Sequence, residues 1–152
     1  MRPVLLTAGL CWIALAGCSL RSVDRARPLV GPGEVHFNNY CSACHQYDEQ
    51  GMGEAPPLDE SPWVTGPEDR LIRIVLHGVR GPIEVHGKTY NREMPGFGQI
   101  LSDAEIASLL SFVRKRFGEP GAPILPAAVN RVREASPGRT DYWSVEELLA
   151  EP

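Results

Sequence analysis

Five residues, Cys41-Ser42-Ala43-Cys44-His45, constrain this chain more than any other stretch. Two thiols three residues apart, followed at once by an imidazole, admit few chemistries. A redox dithiol belongs after a strand in a βαβ setting. Here Phe37, Tyr40, Cys41 and Cys44 fall at helical spacings, which predicts a short amphipathic helix over Glu34–His45. A structural zinc site needs a second pair of ligands. The other two of the four cysteines, Cys11 and Cys18, lie in an N-terminal segment of a different kind. A plain disulfide leaves His45 without a role. The reading that uses every residue is covalent attachment of one haem c. Two thiols on one turn reach the two vinyl groups, and the adjacent imidazole reaches the iron.

Attachment of this kind requires export, and the N-terminus supplies it. Met1–Cys18 reads MRPVLLTAGLCWIALAGC. One Arg precedes an apolar run from Val4 to Ala16, too short for a membrane span of roughly 20 residues. A charged start, a short apolar stretch and small residues at its end describe a secretory signal. Leu15-Ala16-Gly17-Cys18 resembles the lipobox of bacterial lipoproteins. That resemblance implies cleavage of residues 1–17 and lipidation of Cys18. Each buried CH₂ contributes about 0.8 kcal/mol, and two or more acyl chains anchor stably. The expected location is the periplasmic face of a bacterial membrane. Ser19 stands where an inner-membrane retention signal often has Asp, which leaves the outer membrane open.

Residues 18–32 then form a lipidated tether without periodicity, closing on Gly31-Pro32-Gly33. Fifteen flexible residues reach roughly 20 Å on average and near 50 Å when stretched. The next 86 residues, 33–118, are the expected domain. Gly66-Pro67-Glu68 opens a second helix that runs through Leu71, Ile72, Ile74, Val75 and Leu76 to Gly78. Val79–Ile100 reads as loop, with a short hairpin around Ile83–Tyr90. Ser102-Asp103-Ala104-Glu105 is a capping box, and Ile106, Leu109, Leu110 and Val113 give the helix after it one apolar face. Arg114, Lys115 and Arg116 complement its C-terminal dipole before Gly118. Residues 119–152 are a C-terminal extension with helical stretches at Ala127–Ala135 and Ser144–Ala150. Trp143, Val145, Leu148 and Leu149 predict that it packs on the domain.

The fold class is therefore all-α: three to four short helices and long loops around one covalent haem, plus short helices in the extension. The 15 Gly and 14 Pro among 152 residues belong to those loops. The formal charge of −4 excludes a bulk nucleic-acid binder, since nothing neutralises phosphate.

The sixth iron ligand is sought among Met and His residues. Met52 follows His45 too closely to wrap over the opposite haem face. Met94 lies 49 residues downstream, in Glu93-Met94-Pro95-Gly96-Phe97-Gly98, where Pro and Gly stiffen a loop that presents a thioether. Met94 is the leading candidate, with His86 and then His77 as alternatives.

The pattern from Gly33 to Gly118 resembles a class I cytochrome c, close to the small monohaem subunits of bacterial quinoprotein dehydrogenases. Gly33 and Phe37 stand eight and four residues before Cys41, where that family places its N-terminal helix contact, and Leu109 and Phe112 match the partner helix. Pro56-Pro57-Leu58 resembles the family's P-x-L. The resemblance implies that the Pro56 carbonyl accepts from the His45 ring and that Leu58 lines the haem. Trp63, Tyr90 and Arg73 become candidate donors to the propionates or Met94, with packing or surface roles as the alternative. Gln46 stands where the family often has Gly.

With His45 and Met94 both on iron, no position is left for substrate. The expectation is a one-electron carrier, not an enzyme. Its partners are a redox protein donor and acceptor, such as a quinoprotein dehydrogenase or terminal oxidase. The alternatives are a haem-bearing subunit of a membrane complex and a haem enzyme with a displaceable sixth ligand.

Overall fold

The computed structural model describes residues 30–45 and 55–150. The signal segment, Cys11, Cys18, most of the tether, Gln46 and Met52 lie outside the described residues. Among the described residues, no helix is long and apolar enough to cross a membrane.

Helix α1 is Pro32–Tyr40, with Gly31 as N-cap and Pro in its first turn. It stops five residues short of the expected His45. Cys41–Cys44 instead form a turn, in which the Cys44 and His45 amides donate to the Cys41 carbonyl at 3.1 and 2.8 Å. A short helix α2, Pro62–Thr65, is capped by the Ser61 side chain. Helix α3, Glu68–His77, carries Glu68 and Asp69 in its first turn and ends at Gly78 with φ 80°. That left-handed conformation suits Gly. Helix α4, Asp103–Phe117, has both bonds of the capping box from Ser102 and Glu105. Helices α5, Pro126–Ala135, and α6, Val145–Ala150, build the C-terminal extension.

The architecture is all-α, with six helices among the described residues, but short strands also appear. Strands β2, Ile83–Val85, and β3, Lys88–Tyr90, make the expected hairpin. A three-stranded sheet was not legible in the pattern. Strand β1, Gly78–Arg80, lies between β4, Met94–Pro95, and β5, Trp143–Ser144. Segments of two or three residues carry too little alternation to read as strands.

The core forms where α1 meets α4. Gly33 lies against the Ser108 backbone and the Phe112 side chain. Phe37 is fully buried, with its ring 5.5 Å from Phe112 and 5.4 Å from Phe117. Ile72 and Leu76 of α3, Ile106 and Leu110 of α4 and Val129 and Val132 of α5 continue the same core. Arg114 is more than a dipole complement: it donates to the Gly66 carbonyl at 2.7 Å and approaches Glu68 at 3.6 Å. It thus ties α4 to the turn before α3.

The extension packs on the domain through Trp143 and Leu148, which join Ile74 and Val79 in a second core. Leu149 does not take part. It is 60% exposed, because the short α6 presents Leu148 inward and its neighbour outward.

Candidate haem site

The site grows from the end of α1. Phe37 and Cys41 are one helical turn apart, so the helix that buries Phe37 also delivers Cys41 to the edge of the core. Cys41 is half-buried and Cys44 exposed, and both thiols are free. Burial, and secondarily the neighbouring Cys44, push the Cys41 thiol up to about 11.

His45 follows on the same turn. Its Nδ1 lies 3.0 Å from the Pro56 carbonyl oxygen, across a gap of eleven residues. A carbonyl can only accept, so Nδ1 carries the proton and Nε2 is the lone-pair nitrogen. Such a bond fixes the ring and raises its basicity as a ligand. Burial nevertheless holds the His45 pKa below the ordinary value, and the Pro56 bond opposes this only in part. The ring is therefore neutral at pH 7, the form that binds metal.

Met94 comes from a separate segment of the chain. It sits in β4, paired with Val79, and is partly buried against both the main core and the Trp143 core. The loop after it is laid on the end of α3: the Phe97 amide donates to Val75 O at 2.8 Å and the Gly98 amide to Leu76 O at 3.0 Å. Gly96 is required there, since a Cβ would come within 2.5 Å of the His77 carbonyl carbon. Cys41, Leu58, Met94 and Phe97 are each partly buried against the same core cluster, although 53 positions separate the first from Met94.

The other candidates go elsewhere. The His86 ring bonds the Asp59 carbonyl through Nε2 at 2.9 Å on an exposed turn. His77 hydrogen-bonds the Arg139 backbone, and burial lowers its pKa. Its buried Nε2 has no partner among the described residues. The Trp63 indole donates to Glu84 O at 3.1 Å, so its one donor serves the hairpin and not a propionate or Met94. Tyr90 is buried in the hairpin core. Arg73 is buried with its guanidinium 5.9 Å from the Trp143 ring.

Residues 28–113 match the family model described as cytochrome C oxidase, cbb3-type, subunit III. The chain belongs to this cytochrome c family. It is 33% identical to cytochrome c-552 of Thermus thermophilus over 115 residues, 72% of this chain and 71% of the relative. It is 32% identical to the cytochrome c subunit of alcohol dehydrogenase (quinone) of Gluconobacter oxydans, over 74% of this chain but 24% of the relative. It is 29% identical to the cbb3-type cytochrome c oxidase subunit FixP of Sinorhizobium medicae, over 63% of this chain and 33% of that subunit. Like its relatives, this cytochrome is an electron-transfer domain with covalent haem c.

The residues present fit that group. Two unpaired thiols, a neutral imidazole with one nitrogen committed to a carbonyl, and a partly buried thioether packed on the same core cluster are the donor set haem c takes. Sequence reasoning expected Trp143 to pack on the domain but missed the sheet that joins it to Met94, and it missed the bonds of Arg133 to the loop after Met94. One signal was available. Gly78, Gly96 and Gly98 bracket the ends of α3 and of the Met94 loop, and such glycines mark close backbone approach.

Proposed function

We propose that this cytochrome is a lipid-anchored, monohaem one-electron carrier with His45 and Met94 as axial ligands. Bound haem supplies a one-electron iron couple. Cys41 and Cys44 hold it by thioether bonds from the turn after α1. The Pro56 carbonyl holds the His45 Nδ1 proton and leaves Nε2 as the nitrogen that would bind the iron. Met94 supplies the opposite ligand, and a thioether there favours the reduced state. With both axial positions taken by the chain, no position remains for a substrate. Leu58 and Phe97, partly buried against the core, would exclude water from the haem and keep reorganisation small. The observation that supports the reading is the turn after α1, where two free thiols precede an imidazole whose Nδ1 is held by the Pro56 carbonyl.

Residues 1–17 act as a lipoprotein signal, and Cys18 carries lipid that holds the domain at the periplasmic face of a bacterial membrane. Residues 18–32 are the tether, 33–118 the haem domain and 119–152 the extension. Donor and acceptor are redox proteins. The names of the relatives point to a quinoprotein dehydrogenase or a terminal oxidase, either as a diffusing partner or as a complex this chain joins.

Spectroscopy of the oxidised protein tests the ligation. Fe(III)–thioether bonding gives a weak band at the red edge of the visible range. Met94→Ala abolishes it and opens the reduced protein to carbon monoxide, while His86→Ala leaves both unchanged. A band that survives in Met94→Ala rejects the assignment. Cys18→Ser tests the anchor, and lipid labelling that persists in that variant rejects it.

A further inference from the structure

The C-terminal extension meets the Met94 loop at both of its ends. At the upstream end, β1 is shared. Val79 pairs antiparallel with Met94 on one side and parallel with Trp143 on the other. Trp143 is buried, and the Arg139 guanidinium lies 3.5 Å from its ring centroid. Leu148 is fully buried behind it. The His77 ring bonds the Arg139 backbone and so ties the end of α3 to the same segment. A ladder of two residue pairs is marginal alone, and the third strand with its Trp gives it a buried face.

At the downstream end, one side chain of α5 spans the loop. Arg133 donates from Nη1 to Gly98 O at 2.5 Å and from Nη2 to Leu101 O at 3.2 Å. Its Nε donates to the Asp103 carboxylate at 2.8 Å. Asn130, one turn earlier, donates to the other Asp103 oxygen at 3.2 Å. One planar guanidinium thus holds two loop carbonyls and the first residue of α4.

We infer that the extension is a clamp on the sixth ligand, with Arg133 as the positioning residue that sets how often Met94 leaves the iron. This rests on the ligation proposed above. For Met94 to swing away, residues 94–101 must lift from α3. Val75 O and Leu76 O release the loop amides, and Arg133 releases the loop carbonyls. The frequency of that opening is a local stability, separable from global unfolding.

A second arginine on the same helix provides the control. Arg131 makes a bidentate pair with Asp69 at 2.6 and 2.8 Å, which fastens α5 to α3 without touching the loop. The experiment measures the rate at which imidazole replaces the sixth ligand in the oxidised holoprotein. Arg133→Gln raises that rate at least about tenfold, the ratio that losing a single one of its three charge-assisted hydrogen bonds produces. It also weakens the red-edge band. Arg131→Gln stays within about twofold of the parent, because its loss leaves the loop contacts intact. Arg133→Lys falls between, since one ammonium cannot serve three acceptors in a fork, and it stands in if Arg133→Gln yields no holoprotein. Equal acceleration by Arg131→Gln, or a parental rate in both Arg133 variants, overturns the clamp. If Met94→Ala keeps the red-edge band, the ligation itself has failed. If it loses the band while the Arg133 variants match the parent, the clamp alone has failed.

Discussion

Gly33→Ala tests the crossing that places the haem-binding turn. Two effects of the added methyl oppose each other. Ala is the better helix former, and inside a helix the change gains about 0.5–1 kcal/mol. Against this, the new Cβ would sit inside the Ser108 carbonyl oxygen and 2.8 Å from Phe112 Cβ. Both obstacles are fixed: one is backbone of α4 and the other the root of a side chain. Relief requires α1 and α4 to separate by about an ångström, and overpacking of this kind costs about 1–3 kcal/mol. Separation also pulls Phe37 from Phe112 and Phe117, and each aromatic pair contributes about 0.5–1.5 kcal/mol beyond its area. The net expectation is a loss of about 2–4 kcal/mol. Guanidinium unfolding of the oxidised holoprotein, followed by helix circular dichroism, measures it. In a thermal scan the midpoint falls by roughly 10 °C. Gly121→Ala is the control, because nothing lies within 4 Å of a Cβ there. A loss below about 0.5 kcal/mol for Gly33→Ala refutes the close approach as the reason for that glycine. So does an equal loss in Gly121→Ala.

Leu148→Ala removes a fully buried side chain from the core shared by α6, β1 and β5. A loss of about 2–5 kcal/mol is expected on denaturant unfolding, and a change under about 0.5 would mean that the extension is not packed on the domain. Asp69 carries a carboxyl held below its ordinary pKa, first by the hydrogen bond from Arg131. A depressed folded pKa adds stability above the unfolded value, and that stability is lost as pH falls through the folded value. Asp69→Asn should therefore lose stability relative to the parent at pH 7 and converge with it as pH falls below the ordinary carboxylate range. A gap that stays constant across that range would contradict the assignment.

What could be read from the chain followed the strength of local signals. The capping box at Ser102 and Glu105, the stop at Gly78 and the hairpin at Ile83–Tyr90 depend on neighbours in sequence, and all three form. The end of α1 depends on more. Periodicity ran on through Cys44, but the chain turns at Cys41 to carry His45 toward Pro56. A hydrogen bond across a loop leaves no periodic trace. The same holds for β1, β4 and β5, whose pairing joins residues 15 and 64 positions apart through two or three residues each. Trp143 announced burial by its size, but Leu149 did too, and only the direction of a six-residue helix separates them. Arg133 carried no signal at all, because a basic residue near a helix end is explained by the dipole before any specific contact is sought.

The two sides of the proposed site are held by different physics. The His45 side rests on a helix crossing with fixed packing, since Gly33 and Phe37 allow α1 to approach α4 in one way and Cys41 follows one turn later. The Met94 side rests on short ladders and on polar contacts to loop carbonyls. Packed cores resist small displacements, whereas surface hydrogen bonds open individually with low free energies. Substitutions along α1 and α4 should therefore act on whether the domain folds. Substitutions along β5 and α5 should act on how firmly the sixth ligand is held. The iron potential depends on that ligand. It follows that the extension, whose polar contacts run to α3, α4 and the Met94 loop, is the segment through which the sequence can tune the electron carrier with least disturbance to its attachment.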